Sequence, residues 1–223
     1  MKKLFLFRPQ PAADASAERA RALGLEPVVT PLFEIHPVKW IAPDPAGFDG
    51  LLLTSANAVR HGGESLRAMQ SLPVYAVGEA TAEAARDAGL KVKKVGSGNI
   101  DDLLASVPAK LRLMHLCGFH RRPPVNPRQQ ITTACVYKSK PAVPPPAFRA
   151  LPDNVGAVHS AEAAKRLAEL VLPVERKRIR LAAISQQAAV AAGLGWQAVA
   201  IAPDPTDDAL LALAASLCDK PFP

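Results

Sequence analysis

The 223-residue sequence predicts an α/β protein made of two small parallel-sheet domains, related by internal duplication, one of them discontinuous. Three observations predict it. Short β-rich runs alternate with Ala-rich helical runs, the pattern of parallel sheets covered by helices. The order of those runs is the same in two halves of the chain. Proline-rich segments interrupt the alternation twice, the first time after only one β-α-β unit.

The elements follow in order. Lys3–Phe7 reads as a strand and Ala12–Leu23 as a helix ending at Gly24. Glu26–Leu32, Gly50–Thr54, Val74–Val77, Val92–Val95 and Leu113–Leu116 read as further strands. Helical patterns fill Ala56–Gly62, Thr81–Ala88 and Asp101–Val107, and Ile131–Tyr137 is β-like. Then come Val155–His159 (strand), Ala161–Val171 (helix), Ile179–Ala183 (strand), Gln186–Ala192 (helix), Gln197–Ile201 (strand) and Asp207–Leu217 (helix).

The duplication is visible residue by residue. Leu53-Thr54-Ser55-Ala56-Asn57 in the first half corresponds to Val158-His159-Ser160-Ala161-Glu162 in the second, and Ala76-Val77-Gly78 to Ala183-Ile184-Ser185. Ser55 and Gly78 are 23 residues apart, Ser160 and Ser185 are 25, so the βα units are of one size. The connectors are Phe33–Val38 and Tyr137–Pro141, the latter leading into Pro144-Pro145-Pro146. Proline fixes φ, so these are stiff connectors. The single β-α-β unit before the first connector is too small to stand alone. The expected division is therefore 1–34 plus 140–223 as one discontinuous domain, with 38–134 inserted and linkers at about 33–38 and 135–141.

Composition narrows the class. Apolar content is ordinary for a globular chain, which excludes dominant disorder. Three cysteines, an odd number with no C-x-x-C pair, argue against a disulfide framework or a cysteine zinc site and for a reducing, cytoplasmic setting. No apolar run approaches the ~18 residues of a membrane helix. Arg8-Pro9 cuts short the apolar start, which reads as a strand rather than a signal peptide. The net charge of +7 is concentrated: Leu103 to Pro152 holds eight basic residues and no acid, while the other 19 basic residues face 20 acids. Such a stretch attracts anions. With 5% aromatic residues, a base-stacking nucleic-acid platform is not expected.

The chemistry-bearing positions lie where strands end and helices begin. Thr54, Ser55, Ser160, Ser185 and Thr81 occupy such points, where hydroxyls and helix N–H groups form an anion cradle. The same positions are also good N-caps, so capping is an equally available explanation for each. No phosphate-binding or nucleophile-elbow motif is present. His36, His61, His115, His120 and His159 lack partners at metal-ligand spacing, so no metal is expected. Cys117, close in sequence to Arg121 and Arg122, is a candidate for a lowered thiol pKa, but without a recognisable base. Tyr137, at the end of the strand entering the second connector, is a candidate proton donor. Alternatively it packs its ring and points its hydroxyl to water.

These pieces, taken in order, resemble the uroporphyrinogen-III synthase family. They are Arg8-Pro9, Gly24-Leu25-Glu26-Pro27-Val28-Val29-Thr30-Pro31-Leu32, Leu53-Thr54-Ser55-Ala56-Asn57-Ala58-Val59, Ala76-Val77-Gly78-Glu79-Ala80-Thr81-Ala82, Val136-Tyr137, Val158-His159-Ser160 and Ala183-Ile184-Ser185. The resemblance implies a monomeric enzyme that closes hydroxymethylbilane into a macrocycle, inverting ring D through a spiro intermediate with loss of water. No metal or cofactor is implied, and neither nucleic acid nor membrane is a partner. It also implies two domains joined by a two-strand linker, with the octacarboxylate substrate lying between them. By match to the family, Tyr137 is the acid assisting loss of the hydroxyl. Arg8, Thr54, Ser55, Asn57, Gly78, Thr81, Ser160 and Ser185 are substrate-binding. Three departures stand out. Phe7 replaces the usual Thr, Ser185-Gln186-Gln187 stands in place of Gly followed by threonines, and Arg121–Arg128 is proline-broken where the family continues with a helix. The alternative function is a non-catalytic two-domain binding protein for an anionic small molecule. A nucleotide-sugar transferase is a third reading.

Overall fold

The computed structural model describes residues 3–219. The chain divides into two compact units, residues 1–34 with 141–223, and residues 35–140. Each unit is built on a parallel sheet with helices on both faces; the six-stranded sheet adds one edge strand that runs antiparallel to its neighbour, with Val38 N–H donating to the Val136 carbonyl and Ala142 N–H to the Leu32 carbonyl.

In the first unit the strands are β1 (Lys3–Leu6), β2 (Glu26–Val29), β9 (Val155–Val158), β10 (Arg180–Ala183) and β11 (Ala198–Ile201), in the spatial order β11-β10-β9-β1-β2. Every neighbouring pair is parallel. Pro27 is tolerated in β2 because that strand is an edge. Alternate residues serve opposite faces. Phe5, Phe7, Val158 and Leu181 meet α6 (Ala161–Leu170) and α8 (Gln186–Ala192). Leu4, Leu6, Val155 and Ala157 meet α1 (Ala12–Ala22) and α9 (Asp207–Asp219). A one-turn helix, α7 (Pro173–Arg176), precedes β10 and is too short to leave a periodic signal in the sequence.

In the second unit the strands are β3 (Phe33–Pro37), β4 (Gly50–Leu53), β5 (Val74–Val77), β6 (Val92–Gly96), β7 (Arg112–Gly118) and β8 (Gln130–Pro141), in the order β3-β8-β7-β4-β5-β6. Leu51, Leu53, Met114 and Leu116 pack under α2 (Ala56–Arg60), α3 (Gly63–Arg67) and α4 (Glu79–Asp87). Leu52, Tyr75 and Leu113 pack on the other face under α5 (Ile100–Ala105). The α5 helix opens on a capping box, the Asn99 side chain accepting from the Asp102 N–H while Asp102 accepts from the Asn99 N–H. From β7 to β8 the chain runs through residues 119–129 without a helix, as the proline-broken sequence predicts.

The duplication is a topological fact. Read from one edge, β6-β5-β4-β7-β8 of the second unit corresponds to β11-β10-β9-β1-β2 of the first. The two differ in the extra edge strand β3 of the second sheet and in where the chain enters. In the first unit the β-α-β pair equivalent to β7 and β8 comes at the N-terminus.

Candidate active site

In open parallel sheets ligands bind beyond the carboxyl ends of the strands, at the point where the strand order reverses. In the second unit the chain starts at β4, winds outward to β6, then returns to β7 and β8, so this point lies between β4 and β7. In the first unit it lies between β1 and β9. The residues just past those four strands are Thr54-Ser55, Phe119, Phe7-Arg8 and His159-Ser160.

In the second unit, Thr54 Oγ1 lies 3.2 Å from His115 Nε2, a contact that bridges β4 and β7. His115 is 1% exposed, and burial reinforced by the positive charge of Arg121 pushes its pKa down to about 4. It is a neutral imidazole at physiological pH. Ser55 caps α2, its hydroxyl oxygen accepting from the Asn57 N–H at 3.2 Å. Ser55 also hydrogen-bonds Tyr137, and this favours the phenolate. Burial opposes it more strongly and raises the Tyr137 pKa, so the phenol stays protonated. The Tyr137 ring lies across Gly118 of the neighbouring strand: a Cβ at Gly118 would fall 2.7 Å from the ring. The His61 ring, from the end of α2, stands 6.2 Å from it centre to centre. Asn57 is half-buried in the first turn of α2.

Gly78 begins α4 with φ +82°, a conformation that favours glycine, and its N–H donates to the Gly96 carbonyl at 3.0 Å. Thr81, in the first turn of α4, is only 5% exposed. That helix starts at Glu79 rather than at Thr81, because the turn is made by Gly78 and not by a threonine cap.

In the first unit the strand ends carry a polar knot. His159 Nε2 lies 2.6 Å from Asp207 Oδ1, and the same oxygen accepts from Arg8 at 3.1 Å and from Ser16 at 2.9 Å. Arg19 donates to Asp207 Oδ2 through Nε at 3.0 Å and Nη2 at 2.5 Å. These partners hold the Asp207 carboxyl well below the ordinary range although burial pulls it up. Burial is the largest influence on His159 and lowers its pKa against the attraction of Asp207. Arg8 thus stands at the end of β1 with Nη1 engaged by Asp207 and Ser16. Ser160 and Ser185 cap α6 and α8, accepting from Ala163 N–H at 3.1 Å and Ala188 N–H at 3.3 Å.

The capping explanation therefore holds for Ser55, Ser160 and Ser185, yet it uses only a lone pair of each hydroxyl. The O–H remains a donor for an anion. The structure gathers Ser55, Thr54 and Asn57 at the end of β4, with Tyr137 reaching Ser55 from within β8, and sets Arg8 and Ser160 at the ends of β1 and β9. Sequence reasoning missed His115 beside Thr54, His61 beside Tyr137 and Asp207 beside His159. These pairings span 61, 76 and 48 residues and leave no local pattern. The Cys117 expectation is reversed. Arg121 does favour its thiolate, but burial outweighs the charge and raises the thiol pKa. Among the described residues no cluster could hold a metal ion.

Two solved structures resemble the chain along nearly its whole length. A uroporphyrinogen-III synthetase from Helicobacter pylori is 20% identical with a TM-score of 0.67, covering 97% of this chain and 100% of that one. A mutant uroporphyrinogen III synthase from the extremely thermophilic bacterium Thermus thermophilus is 18% identical with a TM-score of 0.54, covering 99% and 100%. At such identities the likeness is one of fold. No curated protein sequence matches the chain. The family model described as uroporphyrinogen-III synthase HemD matches residues 14–212, a span that holds every candidate residue except Arg8. With most of its length matched in this way, the chain belongs to the uroporphyrinogen-III synthase family.

Proposed function

We propose that the protein converts hydroxymethylbilane to uroporphyrinogen III, closing the macrocycle with inversion of ring D and loss of water, and that Tyr137 is the acid of that reaction. The observation that carries the tyrosine's role is its environment: a half-buried phenol kept protonated by burial, hydrogen-bonded to Ser55, within β8 and level with Gly118 at the end of β7, next to the β4–β7 reversal point. Expulsion of hydroxide from a pyrrolic methylene is already assisted by the pyrrole nitrogen. The protein needs only to deliver a proton to the departing oxygen and to hold the chain folded so that the spiro route wins. Tyr137 gives its proton as the C–O bond breaks, water departs, and Ser55 donates to the resulting phenolate. No protein group with a strongly shifted basic pKa is required.

The substrate's carboxylates find hydroxyl and N–H donors at Thr54, Ser55, Asn57, Gly78 and Thr81 in one unit, and Arg8, Ser160 and Ser185 in the other. Among these, Ser160 is exposed, while Thr81 is buried, Arg8 commits Nη1 to Asp207 and Ser16, and Gly78 gives its only N–H to the Gly96 carbonyl, so its part is to shape the turn. Ser160 is therefore the most accessible of the first unit's donors. Hydroxymethylbilane is the small-molecule partner, and a monomer is the expected working state, checked by sedimentation. Three free cysteines favour a reducing compartment, the cytoplasm. Steady-state turnover of hydroxymethylbilane by Tyr137→Phe tests the reading: kcat falls while KM is kept. Unchanged kcat removes the acid role from Tyr137.

A further inference from the structure

The segment after β7 carries two adjacent arginines with different fates. Arg122 Nη2 pairs with Asp101 Oδ2 at 3.5 Å, and the Val125 N–H donates to Asp101 Oδ1 at 2.6 Å, so α5 claims this part of the loop. Arg121 is exposed, and no hydrogen bond or ion pair holds its guanidinium among the described residues. It follows Gly118 by three residues, just past the strand end that Tyr137 covers. The loop is anchored there by the Phe119 N–H, which donates to the Tyr137 carbonyl at 2.9 Å. Arg121's charge acts on His115 and Cys117, both buried on β7, and Cys117 in turn acts on the Tyr137 phenol. The stretch from Leu103 to Pro152 contains no acid that could neutralise Arg121 from nearby in sequence.

A lone guanidinium on the loop after a strand end, two residues beyond the Phe119 N–H that anchors that loop to the Tyr137 carbonyl, suits a carboxylate: it offers a bidentate fork and an exposed approach. We propose that Arg121 is a substrate-binding residue that holds one acidic side arm of the linear tetrapyrrole next to Tyr137. The proposal rests on the synthase reading above. The helix-free loop supplies by a charged side chain what a helix N-terminus would supply by backbone N–H groups.

The test is steady-state kinetics of the full chain on hydroxymethylbilane with Arg121→Gln, Arg121→Lys and Arg122→Gln, each checked for folding by thermal melting, with the product isomers separated. The expected result for Arg121→Gln is a KM raised about tenfold, as for loss of one charge-assisted pair, with kcat within about twofold of the wild type. Arg121→Lys restores part of the loss, and Arg122→Gln leaves KM unchanged. Raising the ionic strength raises KM less for Arg121→Gln than for the wild type. If the wild type yields isomer III and Arg121→Gln keeps its KM, Arg121 binds no carboxylate and the proposal fails alone. An equal rise in KM for both arginine-to-glutamine variants also overturns it, because the effect is then one of overall charge. If the wild type yields only isomer I, the synthase reading fails and the proposal falls with it.

Discussion

Tyr137 on β8 and His115 on the neighbouring β7 have opposite relations to protons. The phenol is pushed toward its acid form, while the imidazole is pushed toward its neutral base form, both mainly by burial. Removing the phenolic oxygen by Tyr137→Phe is expected to lower kcat about a hundredfold, at the lower end of general acid catalysis, with the melting temperature little changed. His115 also makes stability pH-dependent. Its folded pKa of about 4 lies below the ordinary value of 6.5, so its contribution is fully present above pH 6.5 and is lost as the pH falls from there to about 4. The loss amounts to roughly 3 kcal/mol at about 1.4 kcal/mol per unit. Denaturant titrations of the wild type and His115→Gln from about pH 7.5 to 4 check this: the wild type loses stability over that window and the variant's slope is shallower.

At the scale of elements, the close approach of β7 and β8 depends on a residue without a side chain. A methyl group at Gly118 would strike the Tyr137 ring, so Gly118→Ala is expected to displace the phenol and reduce turnover more than stability, read by kcat beside the melting temperature. The α9 helix is tied by polar contacts to β1, β9 and α1 through Asp207, which meets Arg8, His159, Ser16 and Arg19. Because this carboxyl lies below its ordinary range when folded, it stabilises above about pH 4 and the effect fades as the pH falls below that. Asp207→Asn is expected to cost roughly 3 kcal/mol at neutral pH, as when one member of a buried pair is removed, and to remove part of the acid sensitivity. The sequence made some elements legible to the residue: Val74–Val77 and Gln186–Ala192 have the bounds expected, the first as a short apolar run ended by Gly78, the second as an Ala-rich run between Ser185 and Gly193. It did not announce α3 or α7, one or two turns long and stabilised by context rather than by period. Nor did it reveal that β8 continues to Pro141, since Lys138 and Lys140 are exposed on it and give no apolar signal.

For the molecule as a whole, the repeated Thr-Ser or Ser at strand ends signalled a duplicated sheet, and two largely parallel sheets, with only the edge strand β3 antiparallel, bear out the α/β expectation. What the sequence left open was which hydroxyls cap helices and which bind ligand. Ser55, Ser160 and Ser185 do cap, and the polar groups that surround them come from distant parts of the chain. Family membership then fixes the chemistry that the scattered motifs only suggested. The central claim is that this chain directs the closure of hydroxymethylbilane with ring D inverted. The most direct measurement is to incubate the purified full chain with freshly made hydroxymethylbilane and no added cofactor, oxidise the products, and separate uroporphyrin isomers I and III. A predominance of isomer III, lost in Tyr137→Phe, is the predicted result. Isomer I alone, the product of uncatalysed closure, from protein shown to be folded, would contradict it.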